Sequence, residues 1–159
     1  MGVMCLLETN DILRAVEAGL KKHYPGEPVY WNLLPKGFER PSFTLECTKD
    51  EVADVNIGLV RRSVTVRVTC YVAVSEGYGD SDRVELNARM DAVLGLFGMG
   101  FCEVGGRKVQ VSAMKGVGSP EVSEIAALFT WTDSRPGYQA PEEGVPPMGH
   151  YMLNVTRKE

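Results

Sequence analysis

Four cysteines and two histidines are the side chains best equipped here for nucleophilic or metal chemistry. Cys5, Cys47, Cys70 and Cys102 lie far apart in the chain, and none belongs to a CxxC pair. A zinc site wants clustered thiolates and imidazoles, and this spacing does not supply them. Cysteine catalysis needs a base held against the nucleophile. His23 ends a helical stretch beside Pro25, and His150 sits in a Pro- and Gly-rich region; spacing ties neither to a cysteine or serine. Buried, reduced thiols serving as small apolar side chains are the better reading.

Other constellations weaken in the same way. Asp80-Ser81-Asp82 with Glu85 offers carboxylate oxygens to a hard cation but lacks the further ligands and turn glycine of a calcium loop. Helix capping accounts for the same residues. Gly77-Tyr78-Gly79 and the glycines from Gly95 to Gly100 do not form a phosphate-binding turn, and the second group falls at a helix end. Arg61, Arg67 and Tyr71 share one face of a strand, where cations interleaved with aromatics could engage single-stranded nucleic acid. With a net charge of -4, a solvated or subunit-facing sheet surface explains them better. No catalytic residue, metal ligand or cofactor site is expected.

The chain has 159 residues, 44% of them hydrophobic and 24% charged, which suits one domain over 1–159 with one core. Met1 to Leu7 has neither the basic start nor the long apolar run of a signal peptide. Gly2 misses the myristoylation pattern because Leu6 stands where Ser or Thr is wanted. No stretch approaches the roughly 20 apolar residues of a membrane span. The expectation is a soluble protein that stays in the cytoplasm where it is made.

The elements that must position these residues follow from periodicity. Ile12, Leu13, Val16 and Leu20 make one face of a helix over 10–23, capped by Thr9 or Asn10 and stopped by Pro25-Gly26. A short strand over 29–33 precedes a loop, and 42–48 alternates as a strand with Phe43, Leu45 and Cys47 on one side. Residues 49–58 read as a polar connection. Val64, Val66, Val68, Cys70, Val72 and Val74 then define one face of a long strand over 60–74. Its length predicts either a strand that projects to pair with a neighbour or a bulge near Arg61-Arg62.

A second helix spans 82–97, capped by Asp80 or Ser81, with Leu86, Met90, Val93 and Phe97 as its stripe. Residues 101–104 and 107–115 form a hairpin on Gly105-Gly106. Residues 124–132 form another strand. Residues 133–149 read as a Pro- and Gly-rich extended arm, after which Tyr151, Leu153 and Val155 alternate as a final strand. The predicted class is α+β: a mixed or antiparallel sheet, a long central strand, two helices on one face and a C-terminal arm ending in a strand.

The helix ending Lys21-Lys22-His23-Tyr24-Pro25, then Pro28-Val29-Tyr30, then Gly37-Phe38-Glu39-Arg40-Pro41-Ser42-Phe43 resembles the tail terminator family of phages and prophages of Gram-positive bacteria. The likeness continues through the long alternating strand to a Met-containing strand over 148–155. It implies an α+β subunit without catalytic residues, assembling as a hexameric ring at the head-proximal end of the virion tail. That ring would stop polymerisation of the tail tube and offer a surface to the head-tail connector. DNA would pass through it without specific binding, and no membrane is involved.

Under this reading the candidate subunit or partner contacts are Phe38, Arg40, Arg61, Arg67, Tyr71, Tyr78, Tyr138, Met148 and Tyr151. The Phe38–Pro41 turn has a plainer role available: Phe38 capping the core while Arg40 pairs with a local acid. Rival readings are another neck or connector protein and, from a different class, a small-molecule-binding α+β domain or an enzyme using Cys47, Cys70 or Cys102. The alternation around Cys70 opposes the last, because it assigns that thiol to an apolar face.

Overall fold

The computed structural model describes residues 6–74, 82–116 and 118–139. The valine-rich stretch forms β3 (Leu59–Tyr71), whose Val60, Val64, Val66, Val68 and Cys70 are all buried. On its flanks lie β2 (Ser42–Asp54) and β6 (Val122–Ser134), both antiparallel to it. Each of the three strands has 13 residues, about 43 Å of extended chain. The sheet grows outward with β1 (Val29–Trp31) beside β2, then with β5 (Arg107–Lys115) and β4 (Phe101–Val104) beyond β6. The order is β1-β2-β3-β6-β5-β4, and the parallel β1–β2 pair makes the sheet mixed.

Neither expectation for the long strand's length holds. β3 pairs with β6 without a slip from Leu59 to Tyr71, so no bulge lies at Arg61-Arg62. Both edges of β3 are occupied, so it has no free edge for a neighbour. The irregularity is instead in β2, between Cys47 and Lys49. An extra residue there changes which side chains share a face. Phe43 and Leu45 lie opposite Cys70 and Val68, while beyond the bulge Asp50 lies opposite Val64 and Val52 opposite Arg62. Asp50 is thereby aimed toward α1 (Thr9–His23), where it accepts from the Thr9 hydroxyl at 2.6 Å and from Arg62 at 2.9 Å.

Residues 49–54 are therefore strand and not the polar connection that composition suggests. Cross-strand ion pairs and ladder hydrogen bonds replace apolar alternation there. The turn is confined to 55–58. At the other end, β6 runs two residues into the predicted arm, through Asp133 and Ser134. The remainder of that arm from 140, and the expected strand after it, lie outside the described residues.

Both helices pack on the face bearing the buried valines. Ile12, Leu13, Val16 and Leu20 of α1 join Leu86, Met90 and Val93 of α2 (Arg83–Leu96) in one core with Phe43, Leu45, Val66, Ile125 and Phe129. Phe97 closes it edge-on to Phe129 at 5.9 Å between ring centres. α1 touches β1 and β2 near one edge and β4 at the other, so the sheet curls around it. Both helices start elsewhere than their sequences suggest. Glu8 caps α1 reciprocally with Asp11, and Asp82 caps α2 by accepting from the Glu85 N–H at 2.9 Å. The Gly105-Gly106 turn has positive φ at both positions (55° and 77°), which suits a two-residue hairpin and favours glycine. No helix among the described residues is long and apolar enough to cross a membrane.

Candidate functional site

The face of the sheet opposite the helices carries Arg61, Ser63, Thr65, Arg67, Thr69 and Tyr71 of β3. Arg67 lies between two carboxylates on neighbouring strands, Glu46 at 2.5 Å and Glu124 at 3.8 Å. The Glu46 hydrogen bond holds its guanidinium pKa above the ordinary value. Two anions therefore already face the cation on which a nucleic-acid reading of this face would depend. Leu128 and Met114 add exposed apolar surface at the β5–β6 side of the same face.

The loop between β1 and β2 folds onto one end of this face. Phe38 meets Tyr71 edge-on at 5.1 Å, so it packs on the outer face and does not cap the core. The Arg40 guanidinium lies 5.0 Å from the Phe38 ring centre and 5.6 Å from that of Tyr71. Arg40 also donates to the Val72 carbonyl at 3.1 Å and pairs with Glu121 at 3.5 Å. Its acidic partner is thus 81 residues away in sequence and not local. Phe38, Arg40 and Tyr71 form one cluster, with Arg67 on the same face and Arg61 further along β3.

Tyr138 belongs to a different region, the tip of the β2–β3 hairpin. Val52, Val55, Ile57 and Leu59 are 61%, 44%, 78% and 37% exposed, which makes this tip an apolar knob. Immediately after β6, Arg135 donates to the Ile57 carbonyl at 3.1 Å, the Asn56 carbonyl at 3.0 Å and Asp54 at 2.8 Å. The Tyr138 ring covers Gly58 so closely that an added Cβ would meet it at 2.8 Å. The hairpin tip is therefore braced from behind by the chain leaving β6. Tyr78, Met148 and Tyr151 lie outside the described residues.

Two buried charged groups escape the sequence pattern. Arg89 on α2 holds Glu27 through two bonds of 2.5 and 2.6 Å and reaches Glu85 at 3.0 Å. Asp133 on β6 accepts from the Leu7 N–H, the Trp131 indole N–H and Arg107. A lone arginine in a helical stripe, and an acid two positions beyond Trp131 in an alternating strand, are the only hints of either.

Cys70 is fully buried, and burial raises its thiol pKa to about 11 despite the opposing charge of Arg89. Burial likewise raises the Cys47 and Cys102 thiols. A nucleophilic cysteine needs a lowered pKa and access, and Cys70 has neither. In native protein at pH 8, iodoacetamide should leave Cys70 unmodified over hours while denatured protein reacts fully. Peptide mass mapping reads this, and rapid native labelling of Cys70 would overturn its assignment to the closed core. Among the described residues no three His, Cys, Asp or Glu side chains come together as metal ligands.

Residues 11–118 match a family model described as phage tail terminator protein. No curated protein matches the sequence. A solved structure bearing no functional name aligns with 84% of this chain and 100% of its own, at 18% identity and a TM-score of 0.38. That likeness is too distant to assign a function or an assembly.

Proposed function

The chain belongs to the phage tail terminator family, and from that premise we propose that it caps the head-proximal end of the tail tube as a ring. The family match carries this reading, because 11–118 runs from α1 through β5 and so includes both helices and five of the six strands. The chain is thus a structural component of a phage tail, from a family not known for catalysis. In the proposed ring, six copies meet head to tail through one repeated interface. A heterologous contact of that kind closes when its rotation permits and leaves two unlike faces. One face halts the major tail tube protein, and the other receives the head-tail connector.

Several features agree with such a subunit. The apolar knob at the β2–β3 tip and the Leu128–Met114 patch are separate, which a head-to-tail interface requires of its two halves. On the outer sheet face Arg67 is matched by Glu46 and Glu124, and the net charge of -4 does not favour retention of DNA in a channel.

The decisive mixture is purified protein with the major tail tube protein of its own phage, viewed by negative-stain electron microscopy. Tubes stopped in length, each with a thin ring at one end only, are the expected products. Tubes that elongate past a saturating amount of the protein would reject the terminator role and shift attention to other neck components.

A further inference from the structure

Among the described residues, the outer edge of β2 is unpaired over much of its length. β1 pairs with it only at Phe43, Thr44 and Leu45, and the Asn32 N–H takes the Leu45 carbonyl. From Glu46 to Asp54 no strand among the described residues pairs with that edge. Over about 30 Å, beside the exposed Val52 and Val55, no described strand takes up the outward backbone hydrogen bonds of this edge. An open edge of this length is a template for an added strand unless something covers it.

The described chain ends at the same place. Arg135 and Tyr138 fasten it to the β2–β3 tip, where this edge finishes at Asp54, and residues 140–159 follow in sequence. Within them Tyr151, Leu153 and Val155 alternate with Met152, Asn154 and Thr156, free of proline and glycine. Between the two stands 140–150, which contains Pro141, Pro146 and Pro147 together with Gly144 and Gly149. Fully extended, those 11 residues reach at most about 36–40 Å, far enough to bring the alternating segment to a neighbouring copy. We propose that residues 151–155 of one copy add as a strand to the open edge of β2, between Glu46 and Asp54, of a second copy. Main-chain hydrogen bonds supply the attraction, and alternate side chains settle beside Val52 and Val55. The inference rests on the ring reading only for placing the two copies side by side.

Disulfide trapping in the full chain tests it, with Cys5, Cys47 and Cys102 changed to serine and the inert Cys70 kept. One set of chains carries Val52→Cys or Ala53→Cys; a second set, distinguishable by mass, carries Leu153→Cys or Asn154→Cys. Together they sample both faces of the added strand. The pair Val84→Cys with Leu153→Cys is the control, since Val84 is exposed on α2. The sets are mixed, with and without tube protein, and oxidised.

Docking raises the local thiol concentration, so a disulfide between chains should form about tenfold or more faster than in the control. Rates no faster than the control overturn the inference. Doubly substituted chains that link only within themselves also overturn it, and would assign the segment to its own edge. Electron microscopy of the same mixtures reports separately on capping. Capped tubes without interchain linkage leave the terminator reading standing alone; interchain linkage without capping leaves the strand exchange standing alone.

Discussion

Replacing Arg89 with alanine should lower the stability of the fold by about 3–5 kcal/mol, the usual cost of removing one partner from a buried ion pair. For a domain whose total stability is about 5–15 kcal/mol, that is a large fraction. The Arg89 side chain is 7% exposed, and Glu27, its bidentate partner, is 18% exposed. Nearby are the rings of Tyr24, at 4.6 Å, and Phe43, at 6.0 Å. Its bonds to Glu27 are the first cause of a pKa held above the ordinary guanidinium value, so Arg89 stays charged throughout the working pH range. Glu85 adds a third bond but is 49% exposed, so that pair contributes little.

The alanine variant strands the Glu27 carboxylate against Tyr24 and opens a void above Cys70. Urea unfolding should show the midpoint falling with the slope unchanged. The double variant Arg89→Met, Glu27→Leu removes both charges and preserves volume, so it should recover most of the loss. A loss below about 1 kcal/mol for the alanine variant, the range of an exposed pair, would mean that the Arg89–Glu27 pair does not hold α2 to the turn after α1.

The sequence was readable wherever a single periodic rule governed a segment. Ile12, Leu13, Val16 and Leu20 are buried as their helical spacing demands, and Val64, Val66, Val68 and Cys70 as their alternation demands. It misled where polar residues are ordered by partners distant in the chain. Lys49 to Asp54 has no apolar alternation, yet it is strand because β3 provides the ladder and Arg62 holds Asp50. No local rule places the β2 bulge either, since its effect shows only in the cross-strand register.

The candidate contacts divide along the same line. Alternation put Arg67 and Tyr71 on one face, and the structure adds Phe38 and Arg40 to it through long-range contacts. The carboxylates that match Arg67 sit 21 residues before it and 57 residues after it in the numbering, beyond the reach of spacing arguments. The apolar knob was hidden for the opposite reason. Val52, Val55 and Ile57 are scattered through a polar stretch, and only the hairpin gathers them at one tip.

Asp133→Ala should be comparably damaging, at about 3 kcal/mol or more, because it leaves donors buried without acceptors. Asp133 is 3% exposed and accepts three bonds: from the Leu7 N–H at 3.2 Å, the Trp131 indole at 2.9 Å and Arg107 at 2.7 Å. Arg107, 30% exposed, can turn to water and also keeps the Thr132 carbonyl at 3.0 Å, so its loss is the smallest of the three. The indole and Leu7 donors have no such outlet, with Trp131 6% and Leu7 5% exposed. A specific signature follows: hydrogen exchange at the Leu7 amide should accelerate far more than at the β3–β6 amides under conditions where the variant is still folded.

Asp133→Asn should fall between alanine and wild type, since one amide oxygen remains while the NH2 faces a donor. Combining Asp133→Ala with Trp131→Phe removes the stranded indole donor, so the two losses should add to less than their sum. Strict additivity, or a Leu7 amide unmoved by Asp133→Ala, would show that the carboxylate does not tie the N-terminal segment to the end of β6. That tie also bears on assembly. Asp133 fixes the last turn of chain before Arg135 and Tyr138 brace the hairpin tip, so its loss should loosen the point from which 140–159 departs.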